Sequence, residues 1–248
     1  MSDYPHSLTL FYPMYNERQH LGPMTHRALE ALSAVTENFE ILIIDDGSTD
    51  GSEKLAEELA RTDPRIKVIH HERNQGYGQA LRTGWACAHG DIVMYTDCDE
   101  PVDLALFGEA LPHLEHFDVV IGYRTNRWEG WRRFFYSRTY NLLVRILFGV
   151  RARDINFSFK LIWQKPLRKL NLAAGSVFID GEFLSEAARN HLTVYEMPVD
   201  YIPRKYGVSN FNSIRAATYT FEEMWAYWRR RRTFAAVQRV PSQPTSFS

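Results

Sequence analysis

Cysteine is scarce in this chain: there are two, Cys87 and Cys98, and they form no C-x-x-C pair. That excludes a disulfide framework and predicts a reducing compartment. Charge of one sign is equally short. Lys and Arg number 29 against 30 Asp and Glu, a formal net charge of -1. No global field recruits nucleic acid or an anionic membrane, so any such attraction has to be local. Long apolar runs are missing too, since no stretch approaches the roughly 20 residues that span a bilayer. The opening MSDYPHSLTLFYPMYNE has neither the basic start nor the apolar centre of a secretion signal. Together these absences predict a cytoplasmic protein that does not bind nucleic acid.

What is present is material for one large core: 248 residues, 45% hydrophobic and 14% aromatic. The run 8-LTLFYP-13 reads as a strand, stopped by Pro13 and Asn16, with a helix around 20–35. Next, 39-FEILIIDD-46 is nearly continuous in apolar residues, the pattern of a strand covered on both faces and hence of a parallel sheet. A helix over 52–61, a strand over 65–71, a helix from Tyr77 to His89 and a strand over 91–97 continue the alternation. Strands alternating with helices of this length indicate βαβ units. The fold class is therefore α/β, with the chemistry on loops that follow strand C-termini.

Beyond Pro101 the alternation weakens. A short helix over 103–111, a strand over 117–123, a helix over 180–190 and an extended piece over 192–203 are expected. The segment 213–232 places Ile214, Ala217, Phe221, Met224, Trp225 and Trp228 at helical spacing on one predicted apolar face. This divides the chain into a catalytic domain over 1–212, an amphipathic helical extension over 213–240, and a tail over 241–248 of disordered composition.

Four polar clusters follow predicted strands. In 13-PMYNE-17, Tyr15 offers a ring for stacking, while Asn16 and Glu17 offer polar groups. In 45-DDGSTDG-51, Asp45 and Asp46 end a buried strand, although Asp46 or Ser48 also fits a simple helix cap. The third, 74-NQGYGQALRTG-84, puts Gly76 and Gly78 at a helix entrance, where glycine permits close approach of a ligand or another chain segment. Gly84 within the helix fits either that role or relief of helix crowding. The cluster departs from G-x-G-x-x-G, so no dinucleotide is implied. The fourth, 97-DCDEP-101, gathers Asp97, Asp99 and Glu100 at the tip of a strand expected to be buried. Either it is an acidic turn in solvent, or it supplies hard oxygen ligands to Mg²⁺ or Mn²⁺ alongside a diphosphate. Burial of the preceding strand favours the metal, because unpaired carboxylates at its tip are costly.

These clusters, with 122-GYR-124, 154-DINFSFK-160 and 204-RKYGVSN-210, appear in an order that resembles the inverting family-two nucleotide-sugar glycosyltransferases. The nearest branch is that of dolichyl-phosphate mannose synthases and other polyprenyl-phosphate glycosyltransferases. The resemblance covers most of residues 8–212 and implies a GT-A type, mostly parallel sheet flanked by helices. It implies nucleotide-sugar contacts at Pro13, Tyr15, Asn16, Glu17, Asp45, Asp46, Gly76 and Asp97. It makes Asp97 and Asp99 the metal-binding and catalytic carboxylates, with Asp154 a further catalytic candidate. Where similar proteins carry a glutamine after the acidic pair this chain has Pro101, and where they carry Ser-Gly-Phe it has Ser158, Phe159 and Lys160. Phenylalanine lacks glycine's freedom at positive φ, so a different loop path or a filled subsite is expected.

Guanidinium forks match phosphate oxygens, and the resemblance raises Arg124, Arg133, Ser137 and Arg204 as acceptor-phosphate residues above ordinary surface solvation. A phosphate acceptor is already nucleophilic and calls for positioning and charge neutralisation. A sugar-hydroxyl acceptor calls for a base, with Asp154, Asp180 or Glu182 as candidates. The expected reaction is inverting transfer from a UDP- or GDP-sugar to polyprenyl phosphate. The alternatives are a soluble glycosyltransferase acting on a saccharide, glycolipid or small molecule, and a noncatalytic nucleotide-sugar-binding protein. The basic and aromatic run 131-WRRFFY-136 predicts a peripheral contact with the cytoplasmic face of a membrane. For Trp225 and Trp228, docking on the catalytic domain is preferred over that contact.

Overall fold

The computed structural model describes residues 4–99, 102–126, 131–202 and 214–237, with side chains included except at 131–137, 214–217 and 232–237. Its first half follows the expected alternation: β1 (Leu8–Met14), α1 (Arg18–Ser33), β2 (Phe39–Asp45), α2 (Ser52–Thr62), β3 (Ile66–His70), α3 (Tyr77–Cys87) and β4 (Ile92–Tyr95). The second half adds α4 (Leu106–Ala110), β5 (Val119–Arg124), α5 (Trp131–Phe148), β6 (Lys160–Trp163) and the single turn α6 (Gln164–Leu167). It ends with α7 (Phe178–Arg189), β7 (Val194–Val199) and α8 (Ile214–Val237).

The seven strands form one sheet in the order β3-β2-β1-β4-β6-β5-β7. All pairings are parallel except those of β6, which runs antiparallel to both β4 and β5. Every residue of β2 is buried, as its unbroken apolar run requires of a strand covered on both faces. One face carries α1, α2 and α4, packed through Leu21, Met24, Ala28, Ala56 and Phe107. The other carries α3, α5, α7 and α8, through Leu81, Trp85, Val144, Phe178, Phe183 and Met224. Gly84 lets α3 lie directly on β1, because a Cβ there would stand 2.2 Å from the Phe11 ring. Its crowding partner is thus a strand and not a helix.

Two sequence expectations change here. Phe159 takes no positive-φ conformation, since Asn16 and His191 are the non-glycine residues that do so among those described. It is buried and stacks on Phe107 with centroids 4.5 Å apart, in room left by Gly122, where a Cβ would approach the Phe159 Cβ to 3.0 Å. The face of α8 also turns from the one predicted. Thr220, Met224 and Tyr227 are buried and Trp228 packs partly on the core, while Phe221 and Trp225 are exposed. Polar Thr220 and Tyr227 contribute to the docking face, which an apolar-only pattern misses. Trp225 stacks on Trp228 with centroids 4.6 Å apart, so one indole links the docked and the outward faces. Among the described residues, no helix is long and apolar enough to cross a membrane.

Candidate active site

The ends of β1, β2 and β4 open into a cleft of about 470 Å³. Pro13, Tyr15 and Glu17 line it from β1, Asp46 from β2, Gly76 and Tyr77 from the entrance of α3, and Asp97 and Asp99 from the end of β4. The far wall is Gly175, Ser176 and Val177, with Tyr201, Tyr219 and Thr220 beside it. A larger, more open depression of about 640 Å³ lies over α2, lined by Asp45, Thr49, Glu57 and His70 among others. It contains neither Asp97 nor Asp99, so size alone does not mark the site; the convergence of carboxylates on the smaller cleft does.

Each strand end is braced by side chains from its neighbours. Asn16, at φ 57°, accepts the Thr49 N–H through Oδ1 at 2.8 Å, while its own N–H donates to Ser48 Oγ at 3.0 Å. Asp45 accepts from Ser48 N–H at 2.9 Å and lies 2.7 Å from His70 Nδ1. It faces the open depression and sits apart from the cleft lining. Asp46 accepts the Gln75 and Gly76 N–H groups, both at 2.8 Å, and lies 2.7 Å from His71 Nδ1. One carboxylate thereby shapes the 74–76 loop, and Gly76 supplies the φ of 94° that the loop requires.

Asp97 is the electrostatic centre of the cleft. Burial first, and then the neighbouring Asp99 carboxylate, pushes it up to about 7, against hydrogen bonds from Ser158 and Tyr77. The Tyr77 hydroxyl donates to Asp97 Oδ1 at 3.1 Å. Behind this pair lies a closed ionic cluster. Lys160, fully buried on β6, donates to Asp180 Oδ1 at 2.7 Å, the Phe157 carbonyl at 2.7 Å and the Tyr95 hydroxyl at 2.9 Å. Tyr95 in turn donates to Asp180. All three ammonium protons of Lys160 are used. Phe159 packs on the face that carries α1, α2 and α4, whereas Lys160 meets Tyr95 and Asp180 on the other and Ser158 hydrogen-bonds to Asp97.

The remaining candidates are engaged elsewhere. Asp154 holds Arg124 in a two-pronged ion pair, Nε to Oδ2 at 2.7 Å and Nη2 to Oδ1 at 3.1 Å, and the Arg124 guanidinium also lies 5.6 Å from the Tyr201 ring centroid. Asp180 is taken up by Lys160. Glu182 accepts the Ala173 and Ala174 N–H groups at 2.8 and 2.7 Å and pairs with Arg230 at 3.1 Å; burial raises it. None of Asp154, Asp180 and Glu182 lines the cleft. The side chains of Arg133 and Ser137 lie outside the described residues, as do Glu100, Pro101 and Arg204. Sequence reasoning passed over Tyr77, Tyr201, Tyr219 and the 175–177 wall. The small-residue run 173-AAGS-176 was their one visible signal.

Residues 9–174 match the family described as Glycosyl transferase family 2, and the chain belongs to it. It is a glycosyltransferase of the GT-A-like α/β fold. Among similar proteins is polyprenol monophosphomannose synthase of Mycolicibacterium smegmatis, 33% identical over 85% of this chain and 84% of that protein. Undecaprenyl-phosphate 4-deoxy-4-formamido-L-arabinose transferase of Pseudomonas fluorescens is 31% identical over 90% of this chain, which spans 65% of that longer relative. Among solved structures, glucosyl-3-phosphoglycerate synthase of Mycobacterium tuberculosis in complex with Mn²⁺, UDP and glucosyl-3-phosphoglycerate superposes with a TM-score of 0.61. It covers 98% of this chain and 84% of its own at 17% identity, a likeness of fold.

Proposed function

We propose that the protein transfers a sugar, with inversion, from a UDP- or GDP-sugar to polyprenyl phosphate, aided by Mg²⁺ or Mn²⁺. The observation that carries this reading is the Asp97–Asp99 pair on the cleft floor, where burial and mutual repulsion push Asp97 up to about 7. Two carboxylates in this relation fit a divalent cation, whose charge removes the repulsion and lets both ionise. Among the described residues no group of three or more His, Cys, Asp or Glu side chains is placed to hold a metal ion by itself. Asp97 and Asp99 would therefore hold the ion together with diphosphate and water oxygens, as suits a hard cation. When bound, it supplies neutralisation of the charge that develops on the departing diphosphate.

The chain's own residues do the rest. Tyr15 and Glu17 bind the nucleotide side of the donor, and Asp46 fixes the Gly76 loop beside it. Tyr77 and Ser158 orient the Asp97 carboxylate. The names of the relatives support a lipid-linked phosphate as acceptor. Such an acceptor attacks the anomeric carbon as an anion, so the cleft needs orientation and electrostatic stabilisation and no strong base. Engagement of Asp154 and Asp180 in ion pairs supports the same reading. Arg124, Arg133, Ser137 and Arg204 are the candidates for the acceptor phosphate, and 131–136 for a membrane-surface contact.

The deciding experiment incubates the protein with a panel of UDP- and GDP-sugars, polyprenyl phosphate and Mg²⁺ or Mn²⁺, followed by mass measurement of the lipid. A single sugar added to the lipid phosphate is expected. Transfer to soluble saccharides with none to the lipid would overturn the acceptor, and binding without turnover of any donor would overturn catalysis.

A further inference from the structure

The far wall of the cleft is held by carboxylates from two helices. Glu182 of α7 accepts the N–H groups of Ala173 and Ala174. Glu223 of α8 accepts the next two, Gly175 N–H at Oε1 (2.8 Å) and Ser176 N–H at Oε2 (2.9 Å). Four successive backbone donors are thus taken up by two glutamate side chains. Two of their carbonyls are held by α3: Gly78 N–H donates to Gly175 O at 2.9 Å, and Arg82 Nη1 donates to Ala173 O at 3.1 Å. Gly78 has to be glycine for this approach, because a Cβ would lie 2.5 Å from Ala174 O. Tyr219, one turn before Glu223, also hydrogen-bonds to it, and Tyr219 and Thr220 line the cleft. Hydrogen bonds join Glu223 to 175–176 and Gly175 to Gly78, and two residues before Gly78 the backbone of Gly76 is bonded to Asp46. The family match ends at residue 174, before every one of the wall and α8 residues in this chain of contacts.

We infer that Glu223 is a positioning residue for transfer: it clamps the Gly175–Ser176 wall and Tyr219 in the places the bound sugar and acceptor require. Helix α8 is then a working part of the cleft. The charged acceptor suits the task, since a carboxylate taking two backbone N–H groups makes stronger bonds than a neutral group and fixes both at once. This inference rests on the cleft being the transfer site proposed above.

The test combines amide hydrogen exchange with kinetics on the full chain. In Glu223→Ala, exchange at Gly175 and Ser176 should rise about tenfold or more while amides of β1 and β2 stay unchanged. Turnover at saturating donor should fall about tenfold or more, with binding of UDP or GDP, whichever the parent protein holds, within about twofold. Phe221→Ala, exposed on the same helix, should leave both readings at parent values. Turnover is read as transfer to polyprenyl phosphate and as donor hydrolysis, and exchange needs no substrate, so failure of the acceptor reading is told apart from failure of the clamp. If Glu223→Ala unfolds, Glu223→Gln decides, because it keeps the helix and one carbonyl acceptor; intermediate exchange with intermediate turnover supports the clamp. Parent-like turnover in a folded variant whose wall exchanges fast, or parent-like exchange in that variant, overturns it.

Discussion

Lys160 and Asp180, twenty residues apart in sequence, form an ion pair of 2.7 Å with both side chains almost wholly buried. Taking two charges out of water is expensive, and breaking such a pair leaves one charge uncompensated. Lys160→Met should therefore cost about 3–5 kcal/mol, whereas Lys160→Met with Asp180→Leu should recover much of it. Urea unfolding of the two variants checks this. Equal losses would show that the pair is not the source.

Asp97 makes stability depend on pH in the metal-free protein. Its folded value of about 7 exceeds the usual carboxylate value near 4. A raised group contributes stability that is complete below the unfolded value and is lost as pH rises through the folded one. Metal-free protein should accordingly melt at lower temperature as pH goes from 5 to 8, more steeply in the parent than in Asp97→Asn. Added Mn²⁺ should flatten the parent's slope. An unchanged slope in Asp97→Asn would assign the dependence to other groups.

Asp99→Ala should abolish transfer while the fold persists, and Asp97→Ala should be nearly as severe. Steady-state rates at saturating donor and metal, set beside a circular dichroism melt, make the comparison. Near-parent turnover by Asp99→Ala would remove it from the catalytic set.

His70 offers a titration remote from the cleft. Burial lowers its affinity for a proton, but the hydrogen bonds and charges of Asp45 and Glu57 outweigh that, and the net direction is upward. Its stabilising contribution is present below about 6.5 and lost as pH rises through the folded value. An NMR titration should place its midpoint above that of a free histidine, and Glu57→Gln should bring it down. A midpoint indifferent to Glu57 would sink the assignment.

Two glycines should respond differently. Gly78→Ala forces a methyl against the 174–176 backbone and should cost about 1–3 kcal/mol. Gly22→Ala, inside α1, meets nothing within 4 Å beyond its chain neighbours and its own helix, but it precedes Pro23, whose ring crowds the added carbon and offsets the usual helical gain of about 0.5–1 kcal/mol, so its change should be small. Denaturant midpoints read both, and a loss from Gly22→Ala as large as that from Gly78→Ala would contradict the difference in surroundings.

The parallel half of the sheet was legible because its signals are local. An apolar run such as 39–45 and a Gly-bearing turn such as 74–78 each carry their meaning within a few residues. The cleft's near side followed from the same strand ends. The far side did not, because Glu223, Tyr219 and Tyr201 reach it through tertiary contacts that no spacing encodes. The face of α8 was misjudged for a related reason: Tyr227 is buried by its hydroxyl's partners, Glu186 at 2.7 Å and Ser185 at 3.2 Å. Phe159 shows the converse. Its departure from a glycine pattern predicts a different loop path or a filled subsite, yet the ring packs in the core against Phe107, with room left by Gly122 on the neighbouring strand.

The place of β6 and α7 in the sequence also sets the order in which the cleft is assembled. Tyr95 leaves the ribosome 65 residues ahead of Lys160 and 85 ahead of Asp180. Strands β1 to β4 can pair while those partners are still unmade, since their parallel contacts lie within the first hundred residues. The carboxylate floor consequently waits for a late arrival from the opposite direction, and then for α8 to close over it. A nascent chain halted between Lys160 and Asp180 lacks the carboxylate that pairs with Lys160. Emergence of α8, rather than pairing of β1 to β4, completes the lining of the cleft.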